Sequence, residues 1–331
     1  MKLIELEDKI FIAGHKGMAG RAILKAFKNK GYNNFLLESK DKLNLKDSDA
    51  VDYWFSKNKP QIVILAAAKV GGILANNSYP YNFLIDNLKI NTNVIEAAYK
   101  NNVKRFLFLG SSCIYPKLAD QPITEESLLS GPLEPTNDSY AIAKIAGIKL
   151  CTALRKQFNF DAISLMPTNL YGPGDNYNPL NSHVIPGLIQ KFHTAKEQNL
   201  DTVFCWGTGK PMREFLHVNE LGSACVFALE NWNPDSLNSP RDINGNPLEI
   251  LNVGTGKDIS IKDLAEMIAN LIGFKGTIKW DKNKPDGTMK KLLNVQRINK
   301  LGWHAQIKIN NGLKETYSHF LEEIKIGNVR V

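Results

Sequence analysis

Cysteine is scarce: the chain has four, at positions 113, 151, 205 and 225. None is spaced as Cys-x-x-Cys and none stands by a paired histidine, so neither a zinc site nor a disulfide framework is expected, and no metal. Cys151, Cys205 and Cys225 fall in apolar helix or strand patterns and read as core residues, whereas Cys113 does not. Long apolar runs are also missing; none approaches the roughly 20 residues of a membrane span, and no membrane partner is expected. The start, Met1-Lys2-Leu3-Ile4-Glu5-Leu6-Glu7-Asp8, is too acidic and too weakly apolar for a signal peptide, so the expected location is the cytoplasm. Lysines are scattered, densest between 279 and 291, and no basic run is interleaved with stacking aromatics. Nucleic acid is therefore not an expected partner. Repeats and low-complexity tracts are absent.

What is present is ordinary in amount and distinctive in order. A length of 331 residues allows two domains with a sizeable core, and 43% hydrophobic with 22% charged residues is the balance of a globular protein. The net charge of +8 suits a phosphate-bearing ligand. Buried strands are expected at residues 9–13, 34–38, 61–66, 105–109 and 162–166, with helix-period segments between them. That alternation indicates an α/β, Rossmann-type doubly wound parallel sheet. From Tyr171-Gly172-Pro173-Gly174 onward the alternation weakens, which suggests a smaller α/β C-terminal substrate domain. Residues 231–247 read as a surface excursion, and Ser260-Ile261-Lys262-Asp263 as a capped helix start.

Two motifs carry chemistry. Gly14, Gly17 and Gly20 form Gly-x-x-Gly-x-x-Gly between the first strand and the first helix, where glycines let the backbone approach a pyrophosphate at the helix N-terminus. At the end of the second strand an acid holds the ribose 2′-hydroxyl of NAD and a cation accommodates the phosphate of NADP. Glu38 and Lys40 both stand there, with Lys16 as a further cation, and these residues alone leave the choice open. Second, Tyr140 and Lys144 lie one helical turn apart and project from one face. A cation beside a phenol favours the phenolate and brings its proton within reach of neutral-pH chemistry. Ser111, after a central strand, completes a set suited to a carbonyl/alcohol centre.

Together these motifs resemble an extended short-chain dehydrogenase/reductase. Longer segments narrow the likeness: Ala66-Ala67-Ala68-Lys69-Val70-Gly71-Gly72-Ile73, Gly110-Ser111-Ser112-Cys113-Ile114-Tyr115-Pro116-Lys117, Pro135-Thr136-Asn137-Asp138-Ser139-Tyr140, Asn181-Ser182-His183-Val184-Ile185-Pro186, Pro211-Met212-Arg213-Glu214-Phe215-Leu216-His217-Val218 and Lys284-Pro285-Asp286-Gly287-Thr288. These are similar to the GDP-L-fucose synthases, which are GDP-4-keto-6-deoxy-D-mannose 3,5-epimerase/4-reductases. The resemblance implies NADP(H), held by Gly14, His15, Lys16, Gly17, Met18, Ala19, Gly20, Lys40, Asn44, Leu109, Gly110, Ser111, Tyr140, Lys144, Pro167, Thr168, Asn169, Leu170 and His183. It implies a GDP-sugar substrate at Lys191, Trp206, Arg213 and Asp286, and catalysis by Ser111, Cys113, Tyr140, Lys144 and His183. It also implies a homodimer paired through helices that include the Tyr/Lys helix. The corresponding domains are residues 1–172 with about 214–250 for the cofactor, and about 173–213 with 251–331 for the nucleotide-sugar.

The residues make sense of such an activity. Protons at C3 and C5 of a 4-keto sugar are α to the carbonyl, and removing one leaves an enolate on O4 that Ser111 and Tyr140 can stabilise. Cys113, two residues beyond Ser111, points to the same side of an extended segment and can serve as base, and His183 can return the proton from the opposite face. Trp206 reads either as a base-covering residue or as a core tryptophan. Departures from the family pattern are Lys16 and Lys40 in place of Arg, Glu38 in place of a basic or neutral residue, and Asn294 in place of Asp. A sugar 4,6-dehydratase needs a carboxylate where Ser112-Cys113 stand, and a simple 4-epimerase has no use for Cys113 or His183. A non-catalytic dinucleotide-binding regulator need not retain Ser111, Tyr140 and Lys144.

Overall fold

Apolar runs without polar interruption become strands buried along their whole length, as a sheet covered on both faces requires. They are β1 (Ile10–Ala13), β3 (Ile62–Leu65), β4 (Arg105–Leu109), β5 (Ala162–Pro167) and β9 (Ile250–Val253). With β2 (Phe35–Leu36) they form a parallel sheet in the order β2-β1-β3-β4-β5-β9. The structure, a computed structural model, describes residues 2–179, 181–284 and 286–330. Met1 and Pro285, cited above in the chain start and the 284–288 segment, lie outside the described residues. The second strand is shorter than the expected 34–38 because its residues sit half-buried at the sheet edge, with a partner on one side only.

Two helical layers cover this sheet. Helix α4 (Pro80–Lys100) packs against α2 (Ser48–Asn58) and α5 (Asp138–Phe158), and α1 (Met18–Asn29) packs against α7 (Val218–Asn231). Strand order reverses between β1 and β3, which opens a crevice at the carboxyl ends of the strands where ligands of such sheets bind. The short α3 (Ile73–Ser78) follows β3 at that end.

A second apolar cluster lies beyond Tyr171. Helices α6 (Val184–Glu197) and α8 (Ile261–Ile272) pack together, and β7 (Thr202–Trp206) pairs with β11 (Thr277–Asp281). Strand β8 (Met212–His217) pairs with β6 (Asn169–Tyr171), β10 (Asp258–Ser260) and β12 (Lys290–Lys291). Helix α10 (Ile309–Lys325) adds Leu313 and Phe320 to this cluster. The chain also re-enters the first core late. Beyond β9, Leu293 and Val295 pack there with Ile298 of α9 (Gln296–Leu301), so the two bodies interleave more than boundaries near 213 and 250 provide. As expected, Ser260 caps α8, its side chain accepting from Asp263 N at 3.0 Å, and residues 232–249 hold no helix or strand.

Candidate active site

The glycine loop is built for close approach. Gly14 has φ +89°, and a Cβ there would stand 2.7 Å from Ala67 N. A Cβ on Gly20 would fall 2.1 Å from the Gly14 carbonyl oxygen, so α1 lies against the turn only because glycine is present. Helix α1 begins at Met18 and Ala19 with Gly17 as an N-cap that offers no side-chain acceptor, and its first turn holds no acid. Its first N–H groups are left for an anion. His15 Nδ1 is buried without a partner, and burial, then the Lys16 charge, lowers the imidazole pKa against an opposing pull from Glu38. Glu38 is half-buried and acts on that ring, while Lys16, Lys40 and Asn44 are exposed. Asn44 Oδ1 accepts from Lys46 N at 3.3 Å. A cradle closed to Cβ atoms, an uncapped helix start and an orphaned ring nitrogen fit a dinucleotide.

The opposite wall is formed by the ends of β4 and β5. Gly110 follows β4, and a Cβ there would meet Met166 Sδ at 2.3 Å. Pro167 closes β5; Thr168 Oγ1 and Asn169 Nδ2 both donate to the Glu214 carbonyl, at 3.2 and 2.8 Å, and Leu170 continues into β6.

Ser111 and Cys113 meet, by a geometry other than the extended one expected. The Ser112–Ile114 segment is a single 3-10 turn with Ser111 as its cap; Ser111 Oγ accepts from Cys113 N at 3.3 Å and from the Cys113 thiol at 3.1 Å. The turn folds the thiol back onto the hydroxyl. Lys144 is buried and its Nζ donates to the Leu109 carbonyl at 2.7 Å, standing 5.8 Å from the centre of the Tyr140 ring. Burial lowers the ammonium to about 8. The phenol also departs from expectation: burial, reinforced by Cys113, pushes Tyr140 well above its ordinary value, because desolvation here outweighs the neighbouring cation. Tyr140 is held edge-on by Phe83 with ring centres 6.5 Å apart.

A cavity of about 810 Å³ runs from this crevice between the two bodies. Asn169, Leu170, His183, Lys191, Trp206, Arg213 and Asp286 line it together, whereas Ser111, Cys113, Tyr140 and Lys144 are not part of that wall. His183, the N-cap of α6, reaches solvent within the cavity, and the surrounding protein lowers its imidazole pKa. Trp206 is 53% exposed with Lys284 Nζ 5.5 Å above its ring, so it is a cavity residue and not a core tryptophan. Lys191 Nζ donates to the Phe204 carbonyl at 2.7 Å. Arg213 is anchored by a bond from Nη1 to the Met212 carbonyl at 2.8 Å. Asp286 accepts from Thr208 N and Oγ1 at 2.8 and 2.6 Å, which holds its carboxyl below the ordinary value.

Several residues that organise the site were not singled out by the sequence. Glu214 is fully buried and accepts from Gly256 N at 2.7 Å and Leu293 N at 2.9 Å, binding β8 to the turn after β9 and to the chain after β12. Behind the Cys113 turn, Tyr115 OH donates to Asn252 Oδ1 at 2.6 Å, and Asn252 N donates to Glu125 Oε1 at 2.9 Å. These partners are far apart in the chain, and no local pattern announces them. Asn294 bonds Gln296 N at 3.0 Å at the entry to α9 and does not line the cavity.

Residues 10–244 match the NAD dependent epimerase/dehydratase family. A GDP-L-fucose synthase of Escherichia coli (strain K12) is 50% identical over 316 residues, 96% of this chain and 97% of that protein. GDP-L-fucose synthase 1 of Arabidopsis thaliana is also 50% identical over 316 residues, covering 96% of this chain and 94% of that protein. Among solved structures, a GDP-L-fucose synthetase from Naegleria fowleri bound to NADP superposes with a TM-score of 0.85 at 27% identity, over 98% of this chain and 97% of that one. With the glycine cradle, the Tyr140/Lys144 pair and the Ser111–Cys113 contact, these likenesses place the chain in the NAD dependent epimerase/dehydratase family, on its GDP-L-fucose synthase branch.

Proposed function

We propose that this chain converts GDP-4-keto-6-deoxy-D-mannose to GDP-L-fucose by 3,5-epimerisation and NADPH-dependent reduction at C4. The observation that carries this reading is the Cys113 thiol folded onto Ser111 Oγ, a base set beside the hydroxyl that would face the ketone. The Cys113 thiolate takes the proton from C3 or C5; the C–H electron pair moves into the ring and onto O4. Ser111 and Tyr140 hydroxyls donate to that oxygen, and His183 returns a proton to the carbon from the opposite face. One ketone thus serves both epimerisations and then the reduction. NADPH, when bound, supplies the hydride to C4. Tyr140 then protonates the alkoxide, for which a phenol held in its protonated form is suited. Lys144 fixes the end of β4 through the Leu109 carbonyl and keeps a cation beneath the phenol.

Gly14 to Gly20, Lys16 and Lys40 hold the dinucleotide, while Arg213, Lys191, Trp206 and Asp286 hold the GDP portion, Arg213 by forked bonds to phosphate oxygens. The cofactor body comprises residues 1–172 with about 214–250, and the sugar-nucleotide body most of the remainder. The protein works in the cytoplasm as a homodimer paired through α4 and α5. Tyr81, Ile142 and Phe158 support that pairing, being 72%, 47% and 48% exposed on those helices.

Incubation with GDP-4-keto-6-deoxy-D-mannose and NADPH, with the product sugar identified by NMR, tests the reading. GDP-L-fucose is the expected product; a sugar reduced at C4 with C3 and C5 unchanged would leave a plain reductase.

A further inference from the structure

The run Ala66-Ala67-Ala68-Lys69-Val70-Gly71-Gly72-Ile73 leaves β3 and turns into α3 at the edge of the cavity. Its backbone is pinned at several points. Asn87 of α4 has no exposed surface and clasps Lys69: Lys69 N donates to Asn87 Oδ1 at 2.8 Å, and Asn87 Nδ2 donates to the Lys69 carbonyl at 3.0 Å. Asn76 of α3, also buried, donates through Nδ2 to the Gly71 carbonyl at 2.7 Å and to the Gly72 carbonyl at 3.0 Å. Gly71 leaves room for Phe83, whose Cζ a Cβ would meet at 3.1 Å, and Phe83 is the ring set edge-on against Tyr140. These contacts fix the turn to α3 and α4.

The outer face of the turn meets the loop that carries His183. Gly72 N donates to the Asn181 carbonyl at 3.1 Å, and a Cβ on Gly72 would stand 2.6 Å from the Ser182 carbonyl oxygen. Gly72 has φ −66°, which any residue adopts, so the approach of the loop and not backbone strain excludes a side chain there. The loop is itself tightly wound. Ser182 N donates to the Asn178 carbonyl at 2.9 Å, and Asn181 N donates to Asn178 Oδ1 at 3.0 Å. His183 follows directly as the N-cap of α6, its carbonyl accepting from Gly187 N at 3.0 Å. A displacement at Ser182 therefore carries His183 with it.

We propose that Gly72 is the positioning residue of the proton donor: its backbone contact with Asn181 and Ser182 sets where the His183 imidazole stands over the sugar face opposite Cys113. The inference rests on the proposed roles of Cys113 as base and His183 as acid. In the step itself the thiolate takes the C3 or C5 proton and the C–H pair becomes the enolate. Inversion is completed when His183 gives its proton to that carbon from the other side, and Gly72 gains and loses nothing. With the imidazole set back, the thiol reprotonates the enolate on the face from which the proton left, which exchanges hydrogen and keeps the configuration.

Gly72→Ala tests this with GDP-4-keto-6-deoxy-D-mannose in D2O, without reduced cofactor, NMR reading deuterium content and configuration at C3 and C5 separately. Inversion should fall about ten- to a hundredfold, while deuterium wash-in with retained configuration stays within a few-fold of the wild-type exchange rate. Asn76→Ala frees the two carbonyls of the turn without adding an atom at the loop. It should move the ratio of inversion to exchange the same way by a smaller amount, and it carries the test should the Gly72 variant fold poorly. Equal losses of exchange and inversion, an unchanged ratio or a change confined to KM overturns the proposal, each marking a packing role alone. His183→Gln separates the two readings: inversion retained in that variant removes His183 as the acid, whereas inversion lost there with an unmoved ratio in Gly72→Ala and Asn76→Ala removes Gly72 alone.

Discussion

At the scale of single residues, the environment of a side chain decides its chemistry more than its sequence neighbours do. Tyr140 and Lys144 have the spacing expected of a phenol activated by a cation, yet burial raises the phenol and lowers the ammonium to about 8. The phenol is therefore kept as an acid, the form needed to protonate an alkoxide. Tyr140→Phe should lower reduction by about 10²–10⁴-fold while cofactor affinity stays within a few-fold, read from NADPH oxidation and a binding titration; full turnover in that variant would remove Tyr140 from the proton path. Cys113 was marked out by standing two residues from Ser111, but the contact depends on a 3-10 turn that two-residue spacing does not reveal. Trp206 shows the same limit: an aromatic after an apolar strand reads equally as core or ligand wall, and only its exposure decides.

At the scale of elements, periodicity and caps were legible and edges were not. β4 falls on residues 105–109 as expected, and the Ser260 cap is where the Ser-x-x-Asp pattern put it. β6, β10 and β12 have three, three and two residues and escape any periodic signal, because pairing with β8 and not their own pattern makes them strands. The glycine loop was legible because its requirement is local. Gly20→Ala places a methyl 2.1 Å from a backbone oxygen and must push α1 off its turn. It should cost about 1–3 kcal/mol of stability and weaken NADPH binding at least tenfold, measured by thermal melting and titration; unchanged affinity would mean that the loop does not cradle the cofactor.

At the scale of the whole molecule, two apolar clusters meet around one cavity, and groups trapped between elements acquire properties that belong to neither. Asp175, after β6, is buried with Oδ2 unpartnered, and burial pushes its carboxyl up to about 7 against the help of Asn176 N. The unfolded chain loses this proton near the ordinary value, so the group's contribution is fully present at low pH and is lost as pH rises from about 4 to 7. Asp175→Asn keeps the acceptor and the volume. Its melting temperature should exceed wild type by a margin that widens from pH 5 to pH 8, equivalent to roughly a few kcal/mol at most; a margin constant with pH would refute the assignment. What the amino-acid order determined by itself is whatever depends on neighbours within a turn or a strand: the parallel sheet, the glycine loop, the helix that aligns Tyr140 with Lys144, and the motifs of the family. Only the tertiary structure decided that the thiol touches the hydroxyl and that the phenol stays protonated. Those outcomes depend on a turn that two-residue spacing does not reveal and on desolvation by packing between elements, which no local pattern encodes.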